Sequence, residues 1–181
     1  MKPRQQPEIL DVVDEMDRVI GRAQRREVHR RGLQHRAVHI LVFDRRERLF
    51  IQKRVAWKDT FPSCFDSSAS GHLVTGESYE ACALRELEEE LGLGVYQVRP
   101  LRKLFKIAAS PATGWEHIWV FACRAEDVIR PNRAEIESGS FCTWGEAMKL
   151  VRRCPALCAS GFVRIMEELA LDGGLRRIGR L

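Results

Sequence analysis

Short apolar stretches in the first half of the chain predict β-structure. Ile9–Val13 and Arg18–Ala23 flank the turn-like sequence DEMD, which predicts a β-hairpin at about residues 8–23. Residues 55–63 have no regular apolar pattern and predict a loop. The other segments whose apolar pattern predicts strands or extended chain are Val38–Phe43, Arg48–Arg54, Phe65–Val74, Val95–Ala108 and Trp115–Arg124.

The pattern changes to a helical period at Ser78–Leu91. This segment contains Ala, Leu, Glu and Arg and has no internal Pro or Gly. Ser78 can cap its first turn, and Gly92 can end it in the left-handed conformation that glycine adopts at low cost. Leu84, Leu87 and Leu91 have the i, i+3, i+7 spacing of a helix face that packs on a core. The other segments of helical composition are Gln24–Arg31, Glu146–Arg153 and Cys154–Leu171.

The order of these segments predicts the fold class. A run of strands, one central helix, further strands and C-terminal helices at about 145–171 do not form a regular βαβ alternation. We therefore expect an α/β (α+β) fold in which helices pack on the faces of a mixed sheet. A chain of 181 residues is long enough for one such domain, which we predict to comprise residues 1–181.

Composition narrows the class of protein. Apolar residues make up 45 % of the chain, and no apolar run approaches the roughly 18–20 residues that span a bilayer. The first fifteen residues contain no hydrophobic leader segment, so the expected compartment is the cytoplasm and no membrane partner is expected. Six cysteines without a CxxC pair then predict small core side chains rather than disulfides or a zinc site.

The net charge of +5 is concentrated in arginine clusters. Arginines crowd residues 22–48, which suits polyanionic partners such as nucleic acid or phosphorylated small molecules. A solvated, arginine-rich surface is the alternative explanation.

The predicted helix is acidic although the chain is basic. Residues 77–90 contain six glutamates and one arginine, a net charge of −5. Glu86, Glu89 and Glu90 lie at i, i+3 and i+4, so their carboxylates share one helix face at about 5–6 Å spacing. Like charges this close destabilise a helix unless they are neutralised, and Mg²⁺ and Mn²⁺ prefer such oxygen ligands. A solvated acidic helix remains the alternative from these residues alone.

The segment Gly71–Leu93, GHLVTGESYEACALRELEEELGL, resembles the Nudix box G-x5-E-x7-R-E-U-x-E-E-x-G-U, where U is aliphatic. Every constrained position matches: Gly71, Glu77, Arg85, Glu86, Leu87, Glu89, Glu90, Gly92 and Leu93. The resemblance implies an α/β/α sandwich with a mixed sheet. It also implies hydrolysis of a nucleoside diphosphate derivative or a related organic diphosphate.

The same resemblance assigns roles within the box. It implies that Glu86, Glu89 and Glu90 bind Mg²⁺, with Mn²⁺ as an alternative, and that the Gly71 carbonyl joins them. Glu77 and Arg85 resemble the structural ion pair of the family. The general base varies among its members, and the candidates here are Glu86 and Glu135.

Parts of the chain outside the box resemble the isopentenyl-diphosphate isomerase branch. The N-terminal pattern VVDEMDRVIG with HRRGLQHRA, and the segment SSASGHLVTGES, carry this second resemblance. It implies a second metal site, for which the matching residues are His29, His35, His72 and Glu116.

Two positions depart from the isomerase pattern. Ser70 stands where those enzymes have a catalytic cysteine, and Gly114 stands where a further metal-binding glutamate is expected. Serine is a poor acid for protonating a carbon–carbon double bond. We therefore expect an isomerase-like scaffold that performs Nudix hydrolysis.

The alternatives are an isopentenyl-diphosphate isomerase and a non-catalytic, RNA-binding Nudix module. We expect a small-molecule diphosphate substrate rather than nucleic acid, and an N-terminal hairpin able to pair across a homodimer. Specificity should come from outside the box. The candidates for stacking on an apolar or aromatic group are Trp57, Phe61, Trp115 and Trp119, and those for binding phosphate are Lys53, Arg54 and Lys58.

Overall fold

A mixed β-sheet lies at the centre of the protein. The computed structural model describes residues 8–98, 100–125 and 128–171, together with 173 and 178, so both ends of the predicted domain lie outside the described residues. The strands are β1 Ile9–Val13, β2 Val19–Gln24, β3 His35–Phe43, β4 Leu49–Arg54, β5 Phe65–Asp66, β6 Ala69–His72, β7 Arg102–Ile107, β8 Glu116–Arg124 and β9 Ile136–Cys142. The α-helices are α1 Arg25–Arg31, α2 Tyr79–Leu91, α3 Trp144–Arg153 and α4 Ser160–Leu171.

Strands β1 and β2 form a separate antiparallel hairpin, and the other described strands belong to one sheet. The central pair, β3 and β8, is parallel, whereas β6 with β3, β7 with β8, and β5 and β9 with β4 are antiparallel. A parallel pair within an otherwise antiparallel sheet makes it mixed, which confirms the predicted fold class.

Two hydrophobic cores cover the two faces of the sheet. Along β3, Ala37, Leu41 and Phe43 pack against α3 and α4, whereas Val38, Ile40 and Val42 pack against α2. Neighbouring side chains of a strand point to opposite faces, so a strand covered on both sides is apolar throughout. The arrangement of helices on both faces is the α/β/α sandwich that the resemblance implies.

Local capping fixes helix α2 where the sequence predicts it. The Ser78 side chain accepts a hydrogen bond from the Ala81 backbone amide at 3.1 Å. Gly92 ends the helix with φ of 66°, and its amide donates to the Glu88 carbonyl. Leu87 and Leu91 are completely buried on the sheet side, and the charged residues occupy the remaining positions around α2, where Glu86 and Glu90 are buried and Glu88 and Glu89 are exposed.

Strand register places the residues of interest at one end of the sheet. His35 lies opposite Glu116 in the parallel β3–β8 pair. Gly71 lies opposite Val38, and His72 opposite Ala37, in the β3–β6 pair. The beginning of β3, the beginning of β8 and the end of β6 therefore meet.

Two predicted elements are shorter than expected. Cys154–Leu171 was expected to be one helix, but residues 155–157 form a 3₁₀ turn and α4 begins only at Ser160. Cys154 precedes a proline, which disfavours helical backbone at that residue, and its φ and ψ are −133° and 50°. Similarly, the expected strand Val95–Ala108 is reduced to β7, because a turn closed by the Gln97 amide and the Gly94 carbonyl occupies its first part.

The cysteine prediction is partly wrong. All six cysteines are free thiols, but only Cys82, Cys123 and Cys158 are buried, and Cys154 is exposed. Cys154 is exposed because the chain leaves α3 there and turns at the surface. Within the described part of the chain, no helix combines the length and the apolar character needed to cross a membrane.

Candidate active site and metal centres

A cavity of about 1150 Å³ opens at the end of the sheet where β3, β6 and β8 meet. Helix α1, the start of α4 and the charged side of α2 complete its walls. The sequence-predicted residues that line it are Arg54, Trp57, Lys58, Phe61, Ser70, Gly71, His72, Glu77, Arg85, Glu86, Glu89, Glu90, His29, Gly114, Trp115, Glu116 and Glu135. The fold thus brings residues from most of the chain to one cavity.

The three box glutamates lie on the cavity side of α2 in unequal environments. Glu86 and Glu90 are buried, whereas the Glu89 side chain is 58 % exposed. Glu90 is held by two donors: the Gln52 side-chain amide at 2.9 Å and the Ser70 backbone amide at 3.3 Å. Such a pair of donors fixes one carboxylate oxygen and leaves the other free to bind a ligand.

Glycine is required at position 71 by the approach of Glu86. A Cβ atom on Gly71 would lie 1.9 Å from Glu86 Oε1, which is impossible without displacing the carboxylate. The backbone of β6 and the carboxylate on α2 are therefore in direct contact. This contact fits a ligand set in which a main-chain oxygen joins side-chain carboxylates, and hard divalent cations accept such all-oxygen sets.

Arg85 and Glu77 form the predicted ion pair. Arg85 Nε and Nη2 donate to the two oxygens of Glu77, both at 2.9 Å. Arg85 Nη2 also donates to the His72 carbonyl at 3.0 Å, and Nη1 donates to Glu86 and Glu89 at 2.6 and 3.2 Å. One guanidinium thus ties the loop before α2, strand β6 and two of the three box carboxylates together.

Burial changes the acidity of the box carboxylates. Burial, followed by repulsion from Glu90, raises the pKa of Glu86 above its ordinary value. Burial also raises the pKa of Glu90. Negative charge is therefore unfavourable at both buried positions, and a bound dication would stabilise it.

Three histidines converge beside the box. One ring nitrogen from each of His29, His35 and His72 lies within 4.8 Å of the others. Glu116 Oε1 lies 3.0 Å from His72 Nε2 and 3.7 Å from His35 Nε2. The structure therefore brings together all four residues expected at the second metal site.

The chemistry of this cluster fits a transition-metal ion. His29 Nε2 and His35 Nε2 are buried and have no hydrogen-bond partner among the described residues. Burial lowers the pKa of His29 and of His72 to about 4, so both imidazoles are neutral near pH 7. Burial alone would raise the pKa of Glu116, but its contacts with His35 and His72 hold that pKa well below the ordinary value. Neutral imidazoles and one carboxylate are ligands that Zn²⁺ and Mn²⁺ accept.

Glu135, the candidate base outside the box, lies at the cavity wall. Its carboxylate pairs with the Lys58 ammonium. Nearby, the Trp57 ring nitrogen donates to the Ala134 carbonyl at 3.1 Å, which fixes the loop of residues 55–63 against the segment before β9. Glu135 and Lys58 therefore face the same cavity as the box glutamates.

Two predicted substrate-binding residues lie elsewhere. Lys53 forms an ion pair with Glu137 at 2.9 Å on the outer surface of β4. Trp119 packs on the α2 side of the sheet against Tyr79, with the Lys103 ammonium 4.1 Å from its ring centre. Neither side chain lines the cavity.

Sequence reasoning did not single out Gln52, which bonds to a box carboxylate, or His39, which lines the cavity. Gln52 is 1 % exposed, and its side chain on β4 donates a hydrogen bond to Glu90 on α2. His39 interrupts the apolar run of β3 and is 5 % exposed. A polar residue inside an otherwise apolar buried strand is the available signal for both residues.

Comparison with known proteins agrees with this geometry. The NUDIX domain family model matches residues 33–156. The chain is 39 % identical over 135 residues to an uncharacterised Nudix hydrolase of Streptomyces coelicolor, covering 74 % of each chain. It is 38 % identical over 166 residues to an isopentenyl-diphosphate Delta-isomerase of Nocardia farcinica, covering 87 % of this chain and 92 % of that one. It is also 32 % identical over 169 residues to a prenyl-diphosphate phosphatase of Methanosarcina mazei, covering 88 % and 96 %.

A solved structure resembles the whole described fold. The crystal structure of DR0079 from Deinococcus radiodurans superposes with a TM-score of 0.77 at 26 % identity. The superposition covers 89 % of this chain and 98 % of that one. The similarity therefore extends well beyond the box.

Proposed function

The chain belongs to the NUDIX family of hydrolases, and from that premise we propose that it hydrolyses an organic diphosphate with the help of Mg²⁺. The observation that carries the proposal is the contact of Glu86 with the backbone of Gly71, beside Glu89 and Glu90 on one side of α2. The family acts on diphosphates generally with divalent metals. The all-oxygen ligand set suits Mg²⁺ and Mn²⁺ alike, so Mn²⁺ is the alternative ion.

The cationic side chains of the cavity would bind and orient the diphosphate. Lys58 faces the cavity, and Arg25 enters it from α1, where its Nε donates to His72 Nδ1 at 3.3 Å. Arginine and lysine form charge-assisted hydrogen bonds with phosphate oxygens. Their positions on two separate elements, the loop of residues 55–63 and α1, would orient the diphosphate.

Glu86, Glu89, Glu90 and the Gly71 carbonyl would hold the Mg²⁺. Bound there, the cation supplies neutralisation of diphosphate oxygens and a lowered pKa for water. The attacking water must also lose a proton, for which Glu86 and Glu135 are the candidate acceptors. Glu135 also lines the cavity, and Lys58 holds its carboxylate in place.

A panel of diphosphate compounds tests this proposal. Nucleotide sugars, dinucleotides, nucleoside triphosphates, coenzyme A and prenyl diphosphates would be incubated with the protein and Mg²⁺ or Mn²⁺, and released phosphate or nucleoside monophosphate would be measured. We expect hydrolysis of at least one class, dependent on the dication and abolished by EDTA. Absence of dication-dependent hydrolysis across the panel contradicts the proposal.

An isopentenyl-diphosphate isomerase is the second candidate function. The four-residue cluster of His29, His35, His72 and Glu116 favours it, as does the similarity to the isomerase of Nocardia farcinica. Ser70 argues against it, because its hydroxyl is a weaker acid than the thiol expected at that position. The same panel separates the two functions when isopentenyl diphosphate is included and its double-bond isomer is measured.

We also propose that the histidine cluster binds one transition-metal ion. Protein loaded with Zn²⁺ in excess Mg²⁺ and then desalted should retain about one equivalent of zinc, measured by elemental analysis. Since loss of even an outer-shell partner weakens metal binding by about 10–100-fold, His35→Ala should weaken it by at least that factor.

His117→Asn is the matched control for this measurement. His117 is another buried strand histidine, but its Nε2 bonds to the Asp14 carbonyl and to Gln34 instead of the cluster. His117→Asn should retain the metal. Equal metal content in wild type and His35→Ala would overturn the assignment.

A further inference from the structure

His39 has one ring nitrogen bound and one free at the cavity wall. The side chain of this β3 residue lines the cavity and is 5 % exposed. Its Nδ1 lies 2.8 Å from the Ser67 hydroxyl oxygen. Among the described residues, nothing bonds to its Nε2. None of the proposed hydrolytic roles uses this histidine.

The neighbours of Ser67 determine which nitrogen of His39 carries the proton. Ser67 Oγ also lies 3.4 Å from Asp66 Oδ1 and 3.3 Å from the Ala69 carbonyl oxygen, and both of these atoms are acceptors. A hydroxyl that accepts from His39 Nδ1 can donate its own proton to one of these two acceptors, so this tautomer satisfies more of the three contacts. In this tautomer the lone pair of His39 Nε2 can accept a hydrogen bond.

The charged groups facing His39 balance each other. Asp66 Oδ1 lies 3.7 Å from His39 Nδ1, and Arg54 Nη1 donates to the other oxygen of Asp66 at 3.1 Å. Arg54 is in turn fixed by the Thr60 carbonyl. This buried pair holds the imidazole in place without adding net charge to the site.

Helix α4 approaches Nε2 closely at a glycine, and both residues line the cavity. A Cβ atom on Gly161 would lie 3.1 Å from His39 Nε2, so a larger residue there would crowd the imidazole. The methyl side chain of Ala159, just before the helix, cannot cap the first amides. An oxygen seated here meets an acceptor on the sheet side and backbone donors on the helix side, and a hydroxyl group can satisfy both.

The remainder of the wall does not suit a saturated chain. Among the described residues that line the cavity there is no Leu, Ile or Met. The larger apolar side chains at the wall are Trp57, Phe61 and Trp115, and each is more than one third exposed. An aliphatic chain placed against His39 would leave Nε2 buried without a partner, which is unfavourable.

From this wall we infer that His39 is a specificity-determining residue whose Nε2 accepts a hydrogen bond from a hydroxyl of the group attached to the diphosphate. The inference rests on the proposed hydrolysis and names the substrate class for it: a hydroxylated, sugar-like diphosphate is preferred over an unsubstituted prenyl-like one. A site built to bond a hydroxyl discriminates strongly against analogues that lack it.

The test uses two diphosphates with five carbons each. Ribose 5-diphosphate and pentyl diphosphate share the reacting group and differ in hydroxyl groups. Wild type should hydrolyse the ribose compound with a kcat/KM at least about 30-fold higher, and His39→Leu should reduce that ratio to near one by lowering the ribose value and raising the pentyl value. His39→Gln, which keeps an acceptor oxygen, should preserve more of the ratio than His39→Leu. Equal values for the two compounds in wild type would overturn the inference, as would a ratio unchanged by His39→Leu.

A binding measurement separates this inference from the proposed hydrolysis. Calorimetric titration of ribose 5-phosphate and pentyl phosphate into metal-free protein requires no turnover. Tighter binding of the ribose compound, lost in His39→Leu, supports the subsite even where no diphosphate is hydrolysed. Absence of that preference overturns the subsite even where hydrolysis proceeds. Thermal melting of each variant establishes that it is folded.

Discussion

Replacing Glu89 by Gln is expected to lower Mg²⁺-dependent diphosphate hydrolysis by more than about 100-fold, which corresponds to roughly 2.7 kcal/mol of lost transition-state stabilisation. The amide keeps the size of the side chain but removes the negative charge that a dication requires. Because the Glu89 side chain is 58 % exposed and its ion pair with Arg85 is at the surface, the melting temperature should change little. Initial rates at saturating Mg²⁺, with a thermal melt of the same preparation, measure both effects.

Glu88→Gln provides the matched control. Glu88 is the preceding residue of α2 and is exposed, but it does not line the cavity. The same change of charge there should leave the rate within about twofold of wild type, since surface substitutions of this kind have small effects. Glu90→Gln should behave like Glu89→Gln. If both Glu89→Gln and Glu90→Gln hydrolyse substrate at the wild-type rate, the assignment of this helix side to metal binding is wrong.

Arg85→Ala should reduce both the rate and the stability. The change removes the paired bonds to Glu77, the bond to the His72 carbonyl and the contacts with Glu86 and Glu89. Breaking a buried pair costs about 3–5 kcal/mol, and since the Arg85 side chain is 29 % exposed we expect about 2 kcal/mol. For a domain of this size that lowers the melting temperature by about 4–8 °C. The rate should decrease because Glu86 and β6 lose their common anchor.

Arg164→Ala is the control for loss of an arginine ion pair. Arg164 pairs with Glu168 one turn further along α4, at the surface. Such pairs contribute about 0.3–0.5 kcal/mol, so its melting temperature should decrease by no more than about 2 °C. Calorimetry of the two variants measures the difference. If Arg85→Ala melts at the wild-type temperature, Arg85 does not stabilise the loop and helix as inferred.

The arrangement of the box glutamates on α2 can be predicted from the sequence, because it depends only on residues that are close together in the chain. Helical periodicity alone places Glu86, Glu89 and Glu90 on one side of α2, and Ser78 and Gly92 fix where that helix begins and ends. The role of Gly71, in contrast, is implied only by the resemblance to the Nudix box. Strand alternation similarly predicts the apolar residues of β3.

Contacts between distant segments are not predictable from the residues alone. The meeting of His29, His35 and His72 depends on the pairing of β6 with β3 and on the position of α1, and only the family resemblance indicated it. The bond from Gln52 to Glu90 depends on how α2 packs on β4. The surroundings of His39 depend on how α4 packs on β3. The spacing of residues in the sequence carries no information on either packing. The break before α4 is a local effect of Pro155, but the helical composition of Cys154–Leu171 hides that break in the sequence.

Strand β6 has only four residues, yet consecutive positions in it belong to different ligand clusters: Gly71 contacts Glu86, and His72 contacts Glu116. A rigid shift of so short a segment displaces both partners at once. Ion occupancy at either cluster should thus alter affinity at its neighbour, and thermodynamic reciprocity requires the two factors to be equal. Titrating one ion in the presence of the other would then give a different curve from titrating it alone.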